Sequence, residues 1–138
     1  MPRTILVVDD NDTFRGMLCT LLAERGYLVV AARSGQEGLT VAKSNPAIDA
    51  VLTDVDMPGM SGFAFCQQLR ADRPAGSREL PVWIMTGALQ PGLSKRGAAV
   101  GATLLLRKPF NVVEVYEQFE RAFAAADAAA AKGGVSAQ

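Results

Sequence analysis

Five short apolar runs, each followed by a stretch with helical periodicity, constrain this chain more than any other feature. The first is Thr4-Ile-Leu-Val-Val8, and others fall near residues 27 to 32, 48 to 53, 80 to 85 and 103 to 106. The first run has no polar alternation, as expected of a strand covered on both faces. Parallel strands need helix-length connections, so strict alternation of this kind implies a parallel sheet with helices on both sides. A length of 138 residues fits one core, large enough to bury roughly two thirds of the unfolded surface.

The helical stretches carry their own punctuation. Asn11 or Asp12 can cap the first, in which Phe14, Met17, Leu18, Leu21 and Leu22 form one apolar stripe stopping at Gly26. Ser34-Gly-Gln-Glu37 has the form of a capping box opening a second helix to about Lys43, before Asn45-Pro46. Beyond the loop Met57-Pro-Gly-Met-Ser61-Gly62, the residues Phe63, Cys66 and Leu69 mark a third helix. Pro91-Gly92 interrupts the fourth, which is expected to start near Leu93. Val112, Val115, Tyr116, Phe119 and Phe123 give a last stripe. Alanines beyond it are expected to stay helical to about Lys132, where Gly133-Gly134 stop the helix. The expected organisation is one domain over 1–125 and an alanine-rich helical extension or disordered tail over 126–138. Trp83, Phe110 and Phe119 are expected in the core.

Charge and composition exclude several function classes. Lys+Arg and Asp+Glu both number 14, and without a basic stripe direct nucleic-acid binding is not expected. No apolar run reaches the ~18 residues of a membrane span, and the apolar segment after Met1 is too short for a secretory signal. A cytoplasmic protein is expected. Cys19 and Cys66 match no metal spacing and are expected to be small, reduced core residues.

The chemistry lies at the ends of the strands. Asp9-Asp10 follow the first, Asp54 the third, Thr86 the fourth and Lys108-Pro109 the fifth. A doubly wound sheet gathers its carboxyl ends along one crevice. Carboxylates ~5 Å apart repel by roughly 3 kcal/mol at an effective dielectric of ~20, so three of them call for a counter-cation. Mg²⁺ suits an oxygen-only donor set; Zn²⁺ does not, since the chain has no His and no paired cysteines. Lys108 offers a point charge and Thr86 a hydroxyl for phosphoryl oxygens. Carboxylates serve as nucleophiles in aspartyl-phosphate chemistry, and Asp54, at the centre of the sheet, is the candidate.

These motifs resemble the receiver domain of bacterial two-component response regulators. The resemblance runs from about residue 4 to 123. It rests on Ile5-Leu-Val-Val-Asp9-Asp10-Asn11 with Arg15, on Asp54-Val-Asp56-Met57-Pro58-Gly59-Met60-Ser61-Gly62, on Thr86-Gly-Ala88, and on Gly101-Ala102 leading to Lys108-Pro109-Phe110. It implies a flavodoxin-like sheet of order 2-1-3-4-5. Asp54 would then accept a phosphoryl group from a histidine kinase or histidine phosphotransferase, with Thr86 and Lys108 on the phosphoryl oxygens. Asp9, Asp10, Asp54 and the backbone carbonyl of Asp56 would hold Mg²⁺. A cis Lys108-Pro109 peptide is typical of the family. Output would be phosphorylation-dependent binding of a protein target to the face of helix 4, strand 5 and helix 5, or formation of a homodimer, by a stand-alone signalling domain that is not a conventional enzyme. The family often carries Tyr or Phe two residues after the position of Thr103; this chain has Leu105, so an aromatic switch is not expected.

Two other readings stay open on sequence. Asp54-Val-Asp56 matches the nucleophile and general acid of a small haloacid-dehalogenase-like phosphohydrolase, although that family sets the motif on its first strand. A phosphorylation-independent binding module would keep the fold without the chemistry. A flavin site is disfavoured because Asp9-Asp10-Asn11-Asp12 makes the loop after the first strand anionic.

Overall fold

The computed structural model describes residues 2–73, 80–87, 91–102, 104–108 and 111–136, with residues 104 and 132–136 described by their backbone alone. The chain divides into two compact units, Met1–Lys108 and Pro109–Gln138. In the first, strands β1 (Thr4–Val8), β2 (Leu28–Ala32), β3 (Ile48–Asp54), β4 (Val82–Thr86) and β5 (Leu104–Arg107) alternate with helices α1 (Asp12–Glu24), α2 (Gly35–Ser44), α3 (Gly62–Asp72) and α4 (Leu93–Ala99). The second holds α5 (Val112–Ser136). The strands are all parallel, in the order β2-β1-β3-β4-β5, as expected.

Register fixes which residues share the functional edge. Val8 lies beside Thr53, Asp54 beside Met85, and Thr86 beside Arg107. Because every strand points the same way, the residues that follow β1 and β5 emerge on the edge where β3 and β4 end. Every residue of β1 and β4 is buried, whereas in the edge strand β2 only Ala32 is, with Leu28 at the surface. Leu6, Val8, Val51, Phe63, Phe65, Leu69, Val82 and Ile84 belong to one continuous core, whose burial is the main force holding α2, α3 and α4 on the sheet.

Local signals explain most helix boundaries. Asn11, and not Asp12, caps α1: its side-chain oxygen accepts from the Phe14 N–H at 2.8 Å. Gly26, with φ near +98°, ends that helix. The expected stripe on α1 is narrower than its periodicity: Leu18 and Leu22 are buried, Phe14 and Leu21 half-buried, and Met17 is 47% exposed. Ser34 caps α2 by accepting from the Glu37 N–H at 3.1 Å, but Glu37 returns its carboxylate to the Arg33 N–H at 3.3 Å, one residue before the cap of a true capping box. The expected late start of α4 at Leu93 is observed, with Gly92 at φ near +85° before it.

The expected stop of the last helix is not observed. α5 continues through Gly133-Gly134 to Ser136. Glycine weakens a helix interior by only about 1 kcal/mol and, unlike proline, leaves the N–H in place, so an alanine-rich run can carry the helix past it. Within α5 the Phe119 and Phe123 rings lie 6.1 Å apart. No helix among the described residues is long and apolar enough to cross a membrane.

Both cysteines are unbridged. Cys66 is a core residue as expected, whereas Cys19 is only half-buried because it sits beside the buried face of α1 rather than on it. Trp83 is buried in β4. The expectations for Ala88, Thr103, the Lys108-Pro109 peptide and Phe110 fall outside the described residues.

Candidate functional site

The edge formed by β1, β3, β4 and β5 collects the acids and the lysine. Asp9 follows β1, is fully buried, and is tied to β2 through its N–H, which donates to the Ala32 carbonyl at 3.1 Å. Its Oδ1 accepts the Asn11 N–H at 2.9 Å, and its backbone carbonyl accepts from Arg15 at 2.7 Å. Asp10 is exposed beside it. Asp54 ends β3 and is also buried. Carboxylate oxygens of Asp9, Asp10 and Asp54 all lie within 4.8 Å of one another, and the three residues form the acid cluster able to hold a metal ion.

Lys108 reaches the cluster from the far end of the sequence. Its ammonium is 3.3 Å from Asp9 Oδ2 and 3.3 Å from Asp54 Oδ1. The sheet aims it there, since the Lys108 N–H extends the ladder by donating to the Thr86 carbonyl at 2.7 Å. The ammonium also lies over the Phe14 ring, 4.0 Å from the centroid. Thr86 is buried at the end of β4, one residue beyond the register neighbour of Asp54. Asp56 is exposed in the loop after β3.

That loop is held by backbone contacts. The Val55 N–H donates to the Met85 carbonyl at 2.9 Å, and the Gly62 N–H donates to the Val55 carbonyl at 2.8 Å. A Cβ at Gly62 would run into the carbonyl of Asp54, so only glycine lets the start of α3 press this closely on the strand end.

Electrostatics make the cluster receptive to cations. Three carboxylates face one ammonium. Burial pushes the Asp54 carboxyl above the usual carboxylate range, the Lys108 charge pulls it back, and the Asp9 charge raises it further. A divalent cation among the three acids would favour the ionised form of Asp54. The donors on offer are all oxygens, as a hard ion such as Mg²⁺ prefers.

The site residues expected from the sequence thus fall at one edge, with Asp9, Asp10, Asp54 and Lys108 within reach of one another. Sequence reasoning placed Phe14 only in an apolar stripe and missed its ring against Lys108. A signal was available in its position in the first turn after Asp9-Asp10, on the helix leaving the same edge. The closure of Gly62 on Asp54 was also missed, although the Ser61-Gly62 pair marks a tight helix entry.

Comparison with known proteins adds a family. The model of the response regulator receiver domain matches residues 5–120. The chain is 36% identical over 115 residues to the response regulator MprA of Mycolicibacterium vanbaalenii, covering 83% of this chain and 48% of that protein. It is 34% identical over 113 residues to the transcriptional regulatory protein YvrH of Bacillus subtilis, covering 81% of this chain and 45% of that one. The chain therefore spans about half the length of the curated relatives it matches. Its fold superposes on the chemotaxis protein CheY4 of Vibrio cholerae with a TM-score of 0.80 at 33% identity, covering 88% of this chain and 99% of that one.

Proposed function

This chain belongs to the response regulator receiver domain family of two-component systems, and from that premise we propose that Asp54 is its phosphoryl acceptor, served by Mg²⁺ and by the side chains of Lys108 and Thr86. The observation that carries the reading is a buried Asp54 carboxylate at a strand end, flanked by Asp9 and Asp10 on one side and by the Lys108 ammonium at 3.3 Å on the other.

The chemistry follows from charge. An Asp54 oxygen attacks phosphorus as the bond from phosphorus to the donor's imidazole nitrogen breaks, and the imidazole leaves with a proton. Asp9, Asp10, Asp54 and the Asp56 carbonyl would hold Mg²⁺, which would supply positive charge to offset carboxylate repulsion and the incoming phosphoryl oxygens. Lys108 sits where a phosphoryl group on Asp54 would extend, and donates to one of its oxygens. Thr86, at the end of the neighbouring strand, donates its hydroxyl to another. Water later attacks phosphorus, returning inorganic phosphate and the free carboxylate.

The donor is a histidine kinase or histidine phosphotransferase in the cytoplasm. A downstream protein reads the surface of α4 and β5 as phosphorylation biases the loops around Thr86 between two states. The protein signals by binding and does not turn over a small substrate.

Incubation with acetyl phosphate and Mg²⁺ is expected to give one acid-labile phosphoryl group per chain, detected as a single mass increment of intact protein. Asp54→Asn should lose it completely with an unchanged circular dichroism spectrum. Labelling of that variant at the wild-type level would refute the assignment, and steady release of phosphate from many phosphomonoesters would favour a hydrolase.

A further inference from the structure

The Lys108 ammonium has three N–H donors. Two directions are taken by Asp9 Oδ2 and Asp54 Oδ1, each at 3.3 Å, and the ammonium also lies over the Phe14 ring, 4.0 Å from its centroid. Both carboxylate distances exceed the 2.7–2.9 Å typical of a committed charge-assisted bond, so the ammonium is shared between the two acids. A four-carbon stem would ordinarily let such a charge swing toward one carboxylate or out to water. The ring face attracts the cation through its quadrupole without offering a negative charge that would draw it from the acids. It also covers a side from which water would otherwise solvate the lysine, whose side chain is 21% exposed.

We infer that Phe14 is a positioning residue for Lys108: its ring holds the ammonium midway between Asp9 and Asp54, ready for an oxygen of a phosphoryl group on Asp54. The inference rests on the proposed phosphoacceptor role of Asp54. Phe14 can fill this place because α1 begins at Asp12, directly after the acid pair, and the Asn11 cap fixes the first turn through the Phe14 N–H itself. The ring is thus attached to the same backbone turn that presents Asp9 and Asp10.

The test uses NMR and a stable phosphoryl mimic on the full chain. In the wild type, the Lys108 side-chain methylene next to the ammonium should resonate upfield from ring current. Phe14→Leu should abolish that shift and weaken the binding of beryllofluoride with Mg²⁺ by about threefold to tenfold, within the range of one cation–π contact. Phe14→Tyr, which keeps the ring, should restore both. An aliphatic variant with wild-type beryllofluoride affinity would overturn the positioning role, as would a wild-type Lys108 methylene without the upfield shift. Failure of the wild type itself to bind beryllofluoride would instead bring down the phosphoacceptor reading, and this inference with it. If Tyr fails to rescue, ring-mediated positioning is refuted even though Leu weakens binding.

Discussion

At the carboxyl edge of the sheet, one ammonium is shared by two carboxylates and rests on an aromatic ring. On the flank where α3 meets the turn after α4, the Arg70 guanidinium donates instead to two neutral backbone carbonyls, those of Leu80 and Gly101, the latter at 2.6 Å. Nearby, the Arg96 guanidinium lies 4.4 Å over the Phe63 ring and the Cys66 thiol donates to the Val100 carbonyl at 3.3 Å. The flank matches its donors to neutral acceptors, and the result is a brace with fixed geometry. The edge leaves acids in excess of base, so its energy changes whenever a cation or a phosphoryl group arrives. The same fold therefore keeps a stiff region and a responsive one a few residues apart, with Phe63 following Gly62, the residue that closes on Asp54.

Breaking the brace should cost the most stability. Arg70→Ala strips two carbonyls of a charged donor and is expected to lower the free energy of unfolding by about 1 to 2 kcal/mol, since one of the bonds is solvent-exposed. Urea denaturation followed by circular dichroism measures it. If the two regions are separable, this variant still binds beryllofluoride; a parallel loss of binding would show that they are one unit.

Adding Mg²⁺ probes the responsive edge from the other side. At ten times its dissociation constant the ion should stabilise the protein by about 1.4 kcal/mol, read as a rise in thermal midpoint that is absent in Asp9→Asn. An equal rise in both proteins would place the ion elsewhere.

The smallest effect is a pH slope without metal. Native Asp54 holds its proton more tightly than the unfolded chain does, because burial raises its pKa above the 3.8 of a free aspartate side chain. Its ionisation therefore opposes folding, and stability should decline as pH rises from that value through the raised native one. Asp54→Asn should flatten this part of the profile, and saturating Mg²⁺ should flatten it too. A profile identical in the variant would show that Asp54 is not the group responsible.

Much of this was legible in the sequence because the signals are local. The Pro91-Gly92 pair placed the start of α4 at Leu93, and Ser34 announced α2, since caps and breakers act within a few residues. Strand ends located Asp9, Asp54, Thr86 and Lys108 along one edge because parallel topology makes the ends converge. Contacts between distant segments were not legible: Arg70 meets a carbonyl 31 residues away, and Phe14 meets a lysine from the other end of the sheet. Helix length failed for a related reason. Gly133-Gly134 reads as a stop, but whether glycine ends a helix depends on the run that precedes it. Met17 follows the apolar period of α1 yet lies at the rim, because periodicity gives a direction and not how far the neighbouring surface extends.

Trp83 is the only tryptophan of the chain, fully enclosed in β4, with Leu52 and Leu104 as its neighbours in the sheet. Its emission therefore comes from a single buried environment on the strand that terminates in Thr86. The molecule carries its own optical gauge: a red shift signals loss of β4 from the sheet, and a change of intensity with the wavelength maximum held constant signals an event at the strand's end in an intact protein.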